Sequence, residues 1–92
     1  MGFEWDIQKA QANFKRHGVR FSEARTVLED DDDAVTITDD VSDLEEHRFV
    51  TLGMGAKERL LVVVYCYRGD NIRMISVRLA EAHERKQYEE HR

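Results

Sequence analysis

Hydrophobic and polar positions change period along this chain, helical spacing in the first third giving way to alternation and apolar runs further on. Ile7, Ala10, Phe14 and His17 fall at helical spacing and predict a first helix with its apolar stripe on those positions. Asp6 is placed to cap it, because an aspartate accepts hydrogen bonds from the first free amides. Gly18 is placed to end it in the left-handed conformation. Ser22 is the next N-cap candidate, opening a short helix to about Leu28 with Ala24, Val27 and Leu28 inward. Residues 34–38 then alternate and are β-branched, predicting a short strand, and residues 42–46 are polar and turn-like. Residues 47–53 alternate around Phe49, Val50 and Leu52. Residues 59–68 are nearly all apolar, as in a central strand covered on both faces. Gly69-Asp70-Asn71 turns the chain into residues 72–78, an antiparallel hairpin. Strict alternation there puts Ser76 and Arg78 on one face and Arg73, Ile75 and Val77 on the other. Residues 80–88 read as a polar helix. The expected fold is therefore α+β, a single domain over residues 1–92. It has a short extended N-terminal piece, two helices, an antiparallel sheet of about four strands with helices on one face, and a C-terminal helix.

Composition narrows the function classes. The longest apolar run, Leu60 to Tyr67, has eight residues, far short of the ~18 a membrane helix needs. No basic start or apolar core of a signal peptide is present at the N-terminus, and Cys66 is the only cysteine. A reducing, cytoplasmic setting without a membrane is expected. The net charge of −5 hides a division, since residues 29–46 hold ten acids and no Lys or Arg. The remainder carries fourteen basic residues against nine acids, a surplus of positive charge that keeps an anionic partner in view. The acidic run itself, Asp30 to Asp33 included, reads as a solvated loop.

The four histidines and one cysteine show no metal-ligand spacing, and the five glycines form no phosphate loop. No metal and no cofactor are expected. Cys66 reads as a buried, inert thiol. Arg59, Arg68, Arg73 and Arg78 bracket the hairpin near Tyr65 and Tyr67. A guanidinium stays charged and grips phosphate through two parallel N–H bonds, and an aromatic ring stacks a base. The plainer account is that these arginines form surface ion pairs with Glu45, Glu46, Glu58 and Asp70. His17, beside Lys15 and Arg16, has a proton to exchange near neutrality; it also suits a packed position at a helix C-terminus.

Several stretches taken in order resemble the BrnT family of bacterial type II toxins: Phe3-Glu4-Trp5-Asp6, His17-Gly18-Val19, Arg48-Phe49, Leu52-Gly53, residues 59–65, and Ile72-Arg73-Met74-Ile75-Ser76-Val77-Arg78. Glu84-Arg85 and Tyr88-Glu89 continue the match near the end. The resemblance implies a RelE-like ribonuclease that cleaves mRNA without metal, by attack of the ribose 2′-OH on the adjacent phosphate, and inhibits translation and growth. It also implies a cognate BrnA-like ribbon-helix-helix antitoxin, with operator DNA contacted only through that partner. Carried over residue by residue, Arg78, Arg59, His17 and Tyr65 become catalytic candidates, and Lys15, Arg68 and Arg73 RNA-binding ones. Two departures stand out. The family's Asp-Pro after the second helix is absent, and His47 interrupts Glu-Glu-Arg, which suggests a one-residue bulge there. The competing class is a non-catalytic interaction module of the same fold that binds a partner protein through the same groove.

Overall fold

The computed structural model describes residues 2–38 and 48–91. Helix α1 (Ile7–His17) is capped as expected: Asp6 accepts from the amides of Gln8 at 2.8 Å and Lys9 at 3.2 Å, and Gly18 ends the helix at φ 70°. Helix α2 (Phe21–Asp30) starts earlier than its sequence suggested, with Arg20 rather than Ser22 at the N-cap. The amides of Glu23 and Ala24 donate to the Arg20 carbonyl. Phe21, 2% exposed, anchors this turn in the core, so burial sets the helix start where no side chain caps it.

The remaining elements are β1 (Phe3–Glu4), β2 (Val35–Thr38), β3 (Phe49–Met54), β4 (Leu60–Arg68), β5 (Asn71–Leu79) and α3 (Ala82–Glu90). The strands form one sheet of five, in the order β1-β5-β4-β3-β2. This corrects the expectation of four antiparallel strands. The extended N-terminal piece joins as a parallel strand beside β5, with Phe3 opposite Ile72 and Glu4 opposite Arg73. The expected turn at 42–46 and the bulge at His47 lie outside the described residues.

The helices also divide between two faces rather than sharing one. On the first face Val19, Phe21, Ala24 and Val27 pack against Leu61, Val63, Tyr65, Ile72, Met74 and Val77. On the second, Tyr88 of α3 packs with Leu52, Leu60 and Val62. The near-continuous apolar run of β4 requires this, because alternate residues face opposite ways and each buried Val or Leu side chain is worth about 1.5–3 kcal/mol. Helix α2 sits so close to β3 that a Cβ on Gly53 would lie 2.7 Å from Val27 Cγ1. Asp31, expected to be solvated, accepts from the Met54 amide at 2.7 Å and the Tyr88 hydroxyl at 2.8 Å. It ties the end of α2 to β3 and α3.

Only part of the predicted stripe of α1 faces inward, with Ala10 packed against the core. Ile7 is 70% and Phe14 41% exposed, and both border an open apolar cleft with Trp5 and Phe21. The buried residue of the helix is Asn13. Its Oδ1 accepts from the Val77 amide at 3.0 Å, while its Nδ2 donates to the carbonyls of Val77 at 2.9 Å and Val19 at 3.0 Å. Those bonds complete the outer edge of β5 where β1 has ended, and they fix the rotation of the helix. Between the two sits a β-bulge: Val64 faces Ser76 and Tyr65 faces Met74, leaving Ile75 as the extra residue.

Two predictions follow from these contacts. Asn13→Ala strips partners from three buried backbone groups and should cost about 2–3 kcal/mol in denaturant unfolding; a loss under ~0.5 kcal/mol would mean that water replaces the amide. Asp31→Ala should lower stability by about 1–3 kcal/mol, whereas Asp30→Asn and Asp32→Asn together should leave the melting temperature nearly unchanged. Equal melting shifts in the two proteins would remove Asp31 from this role.

Candidate functional site

The bulge decides which side chains share a surface. Ile72, Met74 and Val77 all face the core under α1 and α2, which Ile75 as a surplus residue permits. Arg73, opposite Cys66, therefore joins Ser76, opposite Val64, and Arg78, opposite Val62, on the other face. Strict alternation had put Arg73 with Ile75 and Val77, and the bulge overturns that. Cys66 is 1% exposed, as a buried thiol should be.

At the turn end of the hairpin, Arg68 and Arg73 each bring a guanidinium nitrogen 3.5 Å from the same oxygen of Glu4. One carboxylate answers two positive charges, so the group keeps a net positive charge. The Arg68 side chain is 59% exposed. An anion joining or displacing Glu4 would meet both guanidinium groups.

At the other end, Arg78 forks onto Glu84 of α3 through two N–H bonds of 2.8 Å. Glu84 Oε1 also accepts the Glu81 amide at 2.9 Å, closing the first turn of the helix. The bond from Arg78, then the amide, holds the Glu84 carboxyl below its ordinary range despite partial burial, and the same bond raises the Arg78 guanidinium.

Two candidates lie on the helix-covered side. Arg59, just before β4, donates its Nε to Glu23 Oε2 at 2.9 Å and reaches the Gly18 carbonyl at 3.3 Å. Glu23 is 6% exposed, and its hydrogen bond with Arg59 is the main cause raising that guanidinium. The Tyr65 ring is buried beside Phe49, and its hydroxyl bonds Thr51 Oγ1 at 2.8 Å, which in turn bonds Thr36 Oγ1 at 2.9 Å. Tyr67, which lines a small cleft with Thr36, Thr51 and Tyr65, is exposed.

His17 occupies a third place. It lines a cleft of about 230 Å³ between α1 and β5, together with Lys9, Asn13, Arg16, Ile75 and Ser76. Lys15 is exposed on the same helix and does not line this cleft. The structure thus brings Arg68, Arg73 and Arg78 onto the face that also carries α3, sets His17 beside the strand that carries two of them, and keeps Arg59 and Tyr65 on the opposite face.

The arginines pair with Glu4, Glu23 and Glu84, not with the expected Glu58 or Asp70; Glu45 and Glu46 lie outside the described residues. Glu84 had a signal in sequence, since Glu81 and Glu84 have capping-box spacing. The pairing of Glu4 and Glu23 with arginines had none, since they lie 69 and 36 residues from the arginines they hold. Among the described residues, no three His, Cys, Asp or Glu side chains gather to hold a metal ion, and no helix is long and apolar enough to cross a membrane.

This α+β arrangement matches the crystal structure of the Brucella abortus ribonuclease toxin BrnT. The TM-score is 0.69 at 23% identity, over 88% of this chain and 97% of that one. No curated protein matches the chain. Residues 5–84 match the family described as the ribonuclease toxin, BrnT, of type II toxin–antitoxin systems. That match over most of its length places the chain in the BrnT family of ribonuclease toxins.

Proposed function

We propose that this chain is a metal-independent endoribonuclease that cleaves mRNA in the cytoplasm and is neutralised by a BrnA-like ribbon-helix-helix antitoxin, which alone would contact operator DNA. The observation that carries this reading is the sheet face that gathers Arg68, Arg73 and Arg78, on a chain whose family is one of ribonuclease toxins. Cleavage by the ribose 2′-OH needs a group to take its proton and positive charge around the phosphate as negative charge develops. The arginines supply the second need at any working pH. For the first, His17 is better placed than Tyr65. It lines an open cleft beside Ser76, whereas Tyr65 is 5% exposed with its hydroxyl already bonded. Arg59 acts as a positioning residue, joining the α1–α2 junction to β4 through Glu23. Lys15 adds positive charge near the cleft.

Purified protein free of antitoxin should cleave single-stranded RNA in excess EDTA. Activity lost in EDTA and restored by Mg²⁺ would overturn the mechanism, and no cleavage under either condition would favour the non-catalytic interaction module.

Arg78 provides the second test, because its grip on Glu84 could serve α3 rather than RNA. If it meets the phosphate, Arg78→Lys should lower kcat/KM by about 10²–10³, while Glu84→Gln stays within a few-fold of the parent. Equal losses in both variants, with matching falls in melting temperature, would show that Arg78 acts only by holding α3.

A further inference from the structure

Three basic side chains meet at one place outside the arginine face. Lys9, Arg16 and His17 project from α1 at a spacing that puts them along one side of the helix, and all three line the cleft against β5. Among the described residues, neither Lys9 nor Arg16 forms an ion pair, in contrast to Arg59, Arg73 and Arg78, each of which has a carboxylate. Both are exposed. Among the described residues, no acid lines the cleft; its polar wall is Ser76, the residue next to the bulge, and Asn13, whose amide is occupied by the backbone of Val77.

The register turns one wall of this cleft, Ser76, toward the arginine face. Ser76 lies opposite Val64 on the same side of the sheet as Arg73 and Arg78, between them along β5. A strand of RNA crossing β5 at Ser76 would therefore have guanidinium groups on one side and the basic side of α1 on the other.

We propose that the cleft of Lys9, Arg16, His17 and Ser76 is a second phosphate subsite. It takes the backbone phosphate neighbouring the one held on the arginine face, with single-stranded RNA as the ligand. This rests on the ribonuclease reading and adds to it where the strand runs. Lys9 and Arg16 act as backbone-positioning groups, independent of base identity. Ser76 offers a hydroxyl that donates to a phosphate oxygen.

Salt dependence separates a phosphate contact from a merely solvated helix face. The probe is a fluorescent RNA oligonucleotide with 2′-O-methyl groups throughout, which removes the attacking hydroxyl so that binding is measured without cleavage. Its dissociation constant is taken at several salt concentrations for the full chain and two double variants. Each phosphate contact with a single strand contributes about 0.7 to the log–log slope. Lys9→Gln with Arg16→Gln should therefore flatten the slope by about 0.7 and leave the melting temperature unchanged. Arg85→Gln with Lys86→Gln removes the same charge from exposed positions on α3 and should leave the slope nearly intact. A parental slope in the Lys9/Arg16 variant, or equal flattening in both variants, would overturn the subsite. A parent protein that binds no RNA at all would instead overturn the ribonuclease reading beneath it.

Discussion

The outer edge of β5 is the constraint on which the rest of the structure depends. An edge strand presents a row of amides and carbonyls that must find partners or stay in water, and a buried unpaired group costs free energy comparable to a lost hydrogen bond. Three devices close this edge in succession. β1 pairs at Ile72 and Arg73, the bulge takes up Ile75, and the Asn13 amide pairs with Val77 as a further strand would. That last contact sets the rotation of α1. It turns Asn13 inward, leaves Ile7 and Phe14 on an open apolar cleft, and brings Lys9, Arg16 and His17 against β5.

The bulge has a chemical consequence as well as a topological one. One surplus residue reverses the facing of everything before it on the strand. Without it, Arg73 would lie under α1 and α2 while Ile72 and Met74 faced away from the core. With it, three arginines share a surface and the apolar side chains share the other. The same residue thus satisfies packing and assembles the charge.

The carboxylate partners are not equal in weight. The Arg68 and Arg73 contacts with Glu4 are long and partly exposed, a geometry usually worth under ~1 kcal/mol, so their release to a phosphate is cheap. Glu23 is different, because its side chain is only 4% exposed and Arg59 grips both its oxygens. Removing one member of such a pair would strand a buried charge, which is why Arg59 suits an architectural role. Arg78 falls between, forked onto a Glu84 carboxylate that is 15% exposed and also closes the first turn of α3.

Much of this was legible in sequence because it is local. Asp6 and Gly18 bound α1, Gly69 marks the hairpin, the apolar run of β4 names the central strand, and the ordered motifs from Phe3 to Glu89 point to the family. The candidate arginines were legible as residues but not as a surface. Which face each occupies depends on one bulge in β5, and which acid holds each depends on contacts spanning up to 69 residues. The fifth strand escaped because two residues carry too little periodicity to announce a strand. Asp31 looked solvated because its partners, Met54 and Tyr88, lie 23 and 57 residues away. Asn13 turns inward only because Val77, 64 residues on, needs a partner. Periodicity reports how a segment relates to its own axis; only the packed chain decides which backbone groups are left without partners, and those groups choose the side chains that complete them.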